Sequence, residues 1–164
     1  MIELLVLDVD GCMTDGAIIY TAAGDEIKAF NVKDGLAIAT WHKLGKISAI
    51  ITGRESAIVE RRARELGIRH FYQGVCDKHA VLEEILHKEQ LTFDHVAAIG
   101  DDINDYRMLR SAKRSFTPAD AVPMIRESVQ TVLQRKGGDA CVREMIEILV
   151  DEAGLREEFT AQWV

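Results

Sequence analysis

The chain has 164 residues, which is enough for one domain with a substantial apolar core. Its formal net charge of −7 excludes the basic surface that binding to nucleic acid or to an anionic membrane requires. No apolar run reaches the ~20 residues of a membrane span, and the three scattered cysteines form no Cys-x-x-Cys pair. We therefore expect a cytoplasmic protein with no signal peptide and no structural zinc.

Strand-like and helix-like segments alternate along the chain. The predicted strands are residues 2–8, 47–51, 70–72, 96–99, 114–116 and 129–133, with a hairpin at about 16–30 that contains strands 17–21 and 26–30. The predicted helices are residues 34–43, 56–66, 77–88 and 139–153, with a helix ending at Arg110 and a turn or short helix over 118–126. This alternation predicts an α/β fold of parallel βαβ units with helices on both faces. We expect one domain over residues 1–164, ending in a polar tail at about 155–164.

The first predicted strand ends in the most informative stretch of the chain. Asp8 and Asp10 follow the apolar residues 4–7, and Gly11 and Thr14 come shortly after them. Side chains two residues apart on a strand point to the same side, so the two carboxylates lie together. Such a pair is costly unless the two groups share a cation or a proton. The stretch indicates a reactive or metal-binding site, and a solvated strand end is the alternative.

Two further strand ends carry polar side chains. Thr52 follows the strand at 47–51, and Asp101 and Asp102 follow the strand at 96–99. In parallel sheets the active crevice lies beyond the carboxyl ends of the strands. We therefore expect these side chains to meet those of the first strand.

The order of these motifs resembles the haloacid dehalogenase (HAD) phosphatase superfamily: Asp-x-Asp, then Thr52, then Lys78, then the Gly-Asp-Asp run at 100–102. The resemblance implies that Asp8 attacks phosphorus and forms an aspartyl phosphate, while Asp10 protonates the leaving alcohol and then activates water. Thr52 would bind a phosphate oxygen and Lys78 would neutralise phosphate charge.

The resemblance also implies a Mg²⁺ site, because Mg²⁺ prefers a few carboxylate oxygens and water. Asp8, Asp101 and the backbone carbonyl of Asp10 would bind the metal. Asp102 and Asp105 would support these ligands or the metal-bound waters.

Longer stretches are similar to the 3-deoxy-D-manno-octulosonate 8-phosphate phosphatase group. They are residues 8–16, 28–35, 51–54, 72–74, 100–105 and 137–144. The resemblance covers about 2–150 and implies a HAD-type Rossmann-like parallel sheet with a small β-hairpin and no cap domain. It also implies a homotetramer in which hairpins pack together, and the apolar Ile18, Ile19, Ile27 and Phe30 fit such an interface. Asp139 and Ala140 depart from the Gly-Gly-x-Gly-Ala pattern that is usual in this group.

The expected substrate is the phosphate ester of an eight-carbon sugar acid in lipopolysaccharide biosynthesis. Thr52, Gly53, Arg54 and Lys78 are the candidate contacts, and Arg54 suits the carboxylate or the hydroxyls of the sugar acid. Lys33 is a further candidate for a substrate contact or an interface charge. The nine-carbon 2-keto-3-deoxynononate 9-phosphate is the alternative substrate.

Two other classes of function stay open from sequence. A non-catalytic auxiliary subunit could keep this fold. Loss of Asp10 or Lys78 would indicate that class, but both residues are present. A signalling receiver domain also uses an Asp cluster with Mg²⁺, but its phosphorylated Asp lies on the third strand. We expect the tail with Trp163 to be disordered, and docking on a neighbouring subunit is the alternative.

Overall fold

A computed structural model describes all residues from Met1 to Val164. Its centre is a six-stranded sheet made of β1 (Leu4–Leu7), β4 (Ile47–Ile51), β5 (His70–Tyr72), β6 (Val96–Ile99), β7 (Arg114–Thr117) and β8 (Thr131–Val132). The strand order is β5-β4-β1-β6-β7-β8, and every neighbouring pair of strands is parallel. The predicted α/β class with a parallel sheet is confirmed.

Strand β1 is the middle of the sheet and places the catalytic candidates. Leu4 to Leu7 pair with β4 on one side and with β6 on the other, and all four side chains are fully buried. A strand covered on both faces reads as a continuous apolar run rather than as an alternating one, which explains the sequence of residues 4–7. The carboxyl ends of β4, β1 and β6 therefore lie side by side at one edge.

Helices cover both faces of the sheet. They are α1 (Val32–Lys43), α2 (Ala57–Glu65), α3 (Lys78–Glu89), α4 (Tyr106–Ser111), α5 (Pro123–Arg126), α6 (Cys141–Glu152) and α7 (Arg156–Ala161). On one face, α1, α2 and α6 pack against Leu5 and Leu7. On the other face, α3, α4 and α5 pack against Leu4 and Val6. No helix combines the length and the apolar content that crossing a membrane requires.

Capping residues set the helix starts next to the site. Helix α1 begins at Val32, two residues before the predicted start, because the Asn31 side chain accepts a hydrogen bond from the Lys33 amide. Ser56 caps α2 and Asp77 caps α3 in the same way. The cap at Asp77 makes Lys78 the first residue of its helix.

The hairpin is shorter than the sequence pattern predicts. Its strands are β2 (Ile19–Tyr20) and β3 (Glu26–Ile27), which pair antiparallel over two residues each. The apolar Ile18, Ile19 and Ile27 are exposed on the single chain. The hairpin thus presents an apolar surface beside the carboxyl edge of the sheet.

The C-terminal tail is ordered, which differs from the expectation of a disordered segment. It forms α7 and returns to α1, where the Trp163 indole donates a 2.8 Å hydrogen bond to Thr40 Oγ1. The Lys43 ammonium lies 3.5 Å from the centre of the Trp163 ring. A short helix and one aromatic anchor are enough to fix a segment whose composition is polar.

Candidate active site

The predicted strand-end residues do converge. One polar cleft of about 270 Å³ lies over the carboxyl edge of the sheet. Its lining residues are Asp8, Asp10, Gly16, Thr52, Gly53, Arg54, Asp101, Asp102 and Asn104. A cleft with no apolar lining and several carboxylates is suited to a hydrated, charged ligand and a cation.

The turn after β1 holds Asp8 and Asp10 at the cleft. Gly11 adopts a positive φ of 91°, and a Cβ atom there would lie 1.9 Å from Asp101 Oδ2. Thr14 Oγ1 accepts hydrogen bonds from the amides of Gly11, at 3.4 Å, and of Gly16, at 3.2 Å. Only glycine permits this backbone and this close approach of Asp101.

A buried lysine lies between two carboxylates beneath the cleft. Lys78 Nζ is 2.6 Å from Asp8 Oδ1 and 2.6 Å from Asp105 Oδ1, and its side chain is 1% exposed. Burial alone would lower the pKa of Lys78, but the carboxylates of Asp8 and Asp105 outweigh burial and raise it. The ammonium therefore stays charged and fixes one oxygen of Asp8.

Asp105 orients the other groups without facing the cleft. Its second oxygen accepts hydrogen bonds from the amides of Asp101, at 3.0 Å, and of Asp102, at 3.2 Å. Asp105 is fully buried, and a Cβ at Gly100 would lie 2.4 Å from its side chain. Asp105 thus joins Lys78 to the loop that carries Asp101.

Asp8 and Asp101 form the candidate metal site. Their carboxylate oxygens and the Cys12 sulfur lie within 4.8 Å of one another. Burial and the nearby Asp105 raise the pKa of Asp8 well above its ordinary value, against the opposing effect of Lys78. Burial, with Asp105 and Asp102, raises the pKa of Asp101 to about 6. Two crowded carboxylates with raised pKa values are the donor set that a hard divalent cation stabilises, so the residues fit Mg²⁺.

Asp10 lies in a second charged cluster, on the hairpin side of the cleft. Lys28 donates a hydrogen bond to Asp10 Oδ1, and Arg54 Nε lies 3.9 Å from Asp10 Oδ2. Glu26 contacts both cations, with Oε1 3.4 Å from Lys28 Nζ and 3.3 Å from Arg54 Nη2. Arg54 is thus paired with acidic groups of the chain while it still lines the cleft.

The remaining predicted residues are divided between two places. Thr52 is buried at the end of β4, with its backbone fixed by bonds to Tyr72 and Val75, and it lines the cleft beside Gly53. Lys33 is not brought to this cleft. It lies in a separate shallow groove with Arg135, Ala140, Arg143, Glu144 and Glu147.

Sequence reasoning did not identify three residues that the structure places at the site. Asn104 lines the cleft, and Lys28 and Glu26, from β3 and the residue after it, contact the cleft residues Asp10 and Arg54. The available signal for Lys28 was its position at the start of the stretch 28–35. A lysine at a hairpin edge otherwise looks like a solvated surface residue.

Comparisons with known proteins identify similar sequences. A family model described as haloacid dehalogenase-like hydrolase matches residues 31–113. The chain is 41% identical, over 91% of its length and 80% of the relative's, to the 3-deoxy-D-manno-octulosonate 8-phosphate phosphatase KdsC of Yersinia pestis.

Two solved structures are similar over most of the fold. The 3-deoxy-D-manno-octulosonate 8-phosphate phosphatase of Moraxella catarrhalis, in complex with magnesium, phosphate and KDO, has a TM-score of 0.95 and 39% identity. The match covers 99% of this chain and 94% of that one. The cobalt-bound phosphatase of Haemophilus influenzae has a TM-score of 0.89 and 35% identity, and covers 93% of this chain and 90% of that one.

Proposed function

Because this chain belongs to the haloacid dehalogenase-like hydrolases, within the family of 3-deoxy-D-manno-octulosonate 8-phosphate phosphatases, we propose that it hydrolyses that ester to the free sugar acid and phosphate. The observation that carries the proposal is the pair of clusters around one cleft. Asp8 is fixed by Lys78 on one side, and Asp10 is fixed by Lys28 on the other. Phosphoryl transfer through an enzyme carboxylate needs one nucleophilic and one acid–base carboxyl group in such an arrangement.

The first half-reaction forms a phosphoenzyme. The free oxygen of Asp8 attacks phosphorus, and the bond between phosphorus and the sugar oxygen breaks. Asp10 gives its proton to that oxygen, so that the sugar acid leaves as an alcohol. Lys78 holds Asp8 in place for the attack, and the Thr52 hydroxyl binds a non-bridging phosphate oxygen.

The second half-reaction restores the enzyme. Asp10, now deprotonated, takes a proton from water as the water oxygen attacks phosphorus. The bond between phosphorus and Asp8 breaks, and phosphate leaves with Asp8 as a carboxylate. The same carboxyl group thus acts first as an acid and then as a base.

We assign the Mg²⁺ site to Asp8, Asp101 and the backbone carbonyl of Asp10, with Asp102 and Asp105 as supporting groups. When bound, Mg²⁺ neutralises charge on the phosphate and on the two crowded carboxylates. Asp105 keeps the Asp101 backbone fixed, and Gly11 lets Asp101 approach the turn after β1. The metal site therefore depends on both glycine and carboxylate positions.

The sugar-acid end of the substrate is assigned to Arg54. Its side chain is 41% exposed and faces the cleft, and a guanidinium binds a carboxylate in a planar, two-point geometry. Lys33 lies outside the cleft of its own chain, and we assign it to an interface charge. We also propose a cytoplasmic homotetramer, since the exposed Ile18, Ile19 and Ile27 need a covering surface.

The test is phosphate release with Mg²⁺ from a panel of sugar phosphates that includes the eight-carbon and nine-carbon acids. We expect the eight-carbon ester to be turned over fastest and excess chelator to abolish turnover. A preference for 2-keto-3-deoxynononate 9-phosphate would keep the mechanism and reassign the substrate. No release from any ester by folded protein would favour the auxiliary-subunit interpretation. Light scattering tests the tetramer, and a monomer would contradict it.

A further inference from the structure

Lys28 is a buried cation at the site whose partner is the proposed acid–base residue. It follows β3, and its ammonium contacts Asp10 Oδ1 and lies 3.4 Å from Glu26 Oε1. The side chain is 1% exposed, compared with 22% for that of Asp10 and 41% for that of Arg54. Lys28 does not line the cleft. It is therefore placed to act on Asp10 and not directly on a ligand.

The hairpin that carries Lys28 is held against the core by the neighbouring Glu26. Glu26 Oε2 accepts a 2.7 Å hydrogen bond from Ser56 Oγ, and Oε1 accepts one of 3.3 Å from Arg54 Nη2. Ser56 caps α2, so this contact ties β3 to the loop that follows β4. These contacts of the hairpin therefore fix the position of the Lys28 ammonium.

We propose that Lys28 is a positioning residue that directs the catalytic proton to one oxygen of Asp10; this inference rests on the proposed function. An ammonium has donors only, so the Asp10 Oδ1 that it contacts must act as an acceptor. The proton of the acid form is thereby confined to Oδ2, which lies 3.9 Å from Arg54 Nε, beyond hydrogen-bond distance. Oδ2 donates that proton to the leaving sugar oxygen and later receives one from the attacking water.

A comparison of leaving groups separates this role from a structural one. A sugar alkoxide needs a proton to leave, whereas p-nitrophenolate leaves without one. The ratio kcat/KM reports the steps up to phosphoenzyme formation, in which Asp10 acts as the acid. General acid catalysis contributes on the order of 10²–10⁴-fold, so we expect Lys28→Met to lower kcat/KM for the sugar-acid phosphate about 10- to 100-fold. For p-nitrophenyl phosphate we expect a loss of less than about 3-fold.

Three variants complete the experiment. Asp10→Asn should show the same selective loss to a larger extent, and Lys28→Arg should recover part of it because a donor cation is restored. Lys46→Met is the matched control: Lys46 is also buried and paired, with Glu3 at 3.1 Å, but it lies at the opposite edge of the sheet. The control should leave the ratio of the kcat/KM values for the two substrates unchanged.

Equal losses for both substrates would show that Lys28 only supports the hairpin, and no loss would show that Asp10 needs no partner; either result overturns the proposal. If Lys28→Met does not fold, Lys28→Leu, which also lacks a donor, supplies the same comparison of the two substrates. A folded Lys28→Leu variant whose kcat/KM values for the two substrates stand in the wild-type ratio also overturns the proposal. Wild-type protein that hydrolyses neither ester would instead refute the proposed function.

Discussion

Replacing Lys78 by Met should destabilise the protein in a pH-dependent manner. The ammonium is 2.6 Å from both Asp8 Oδ1 and Asp105 Oδ1. At an effective dielectric constant of about 20, each contact contributes on the order of 6 kcal/mol, which the cost of burying the charges largely offsets. Removing the only cation of a buried cluster leaves its carboxylates uncompensated, and we expect a loss of about 3–5 kcal/mol in the free energy of unfolding at pH 8.

The sign of the pH dependence follows from the pKa shifts. Burial and neighbouring carboxylates raise the pKa of Asp8 well above its ordinary value and that of Asp101 to about 6, and Lys78 opposes both shifts. Without Lys78 both pKa values rise further. A group with a raised folded-state pKa is most stabilising below its unfolded pKa of about 4, and this contribution is lost as the pH rises through the folded value. The deficit of the variant should therefore be smaller at pH 5 than at pH 8.

Urea unfolding in the presence of chelator, at several pH values between these limits, measures this deficit. The matched control is Lys88→Met on the same helix, because Lys88 pairs with Glu84 at 2.6 Å on the exposed face. Exposed pairs contribute little, so the control should match the wild type at every pH. A deficit for Lys78→Met that is the same at pH 5 and pH 8 would refute the buried-charge argument.

Three further predictions concern the metal site and the tail. Gly11→Ala should cost about 1–3 kcal/mol of unfolding free energy and weaken Mg²⁺ binding, because its Cβ would displace Asp101; calorimetric Mg²⁺ binding equal to that of the wild type would contradict this. Mg²⁺ should raise the melting temperature more at pH 8 than at pH 5, because Asp8 and Asp101 must lose their protons to bind it; equal shifts would mean that other groups hold the ion. Trp163→Ala should lower the unfolding free energy by about 1 kcal/mol through loss of its contact with Thr40, and an unchanged value would mean that the tail is not docked on its own chain.

The parallel sheet and the meeting of three strand ends could be predicted from sequence because both follow from the alternation of strands and helices along the chain. A continuous apolar run such as residues 4–7 marks a strand that is covered on both faces, and the polar residues that follow such strands gather at one edge. The positions of Asp8, Thr52 and Asp101 at this edge could be predicted from these patterns alone. Lys78 lay within a predicted helix, and its place at the site depended on the resemblance to a known motif order.

The contacts that sequence reasoning missed join elements without a periodic signal. Lys28 meets Asp10 because a hairpin with two-residue strands folds back towards the cleft, and neither strand is long enough to show alternation. Lys33 is only five residues further along the chain, yet it lies in another groove because α1 has begun at Val32. The docking of Trp163 on its own chain was not predicted because one aromatic contact decides the order of a polar tail.

The most direct test of the account is to identify the residue that carries the phosphoryl group. Rapid acid quenching during turnover with Mg²⁺, followed by borohydride reduction, converts an aspartyl phosphate to homoserine, which peptide mass spectrometry locates. We predict homoserine at position 8 alone, and none in Asp8→Asn protein. Phosphate release by the wild type with no modification at Asp8, or with modification of another carboxylate, would contradict the proposed mechanism.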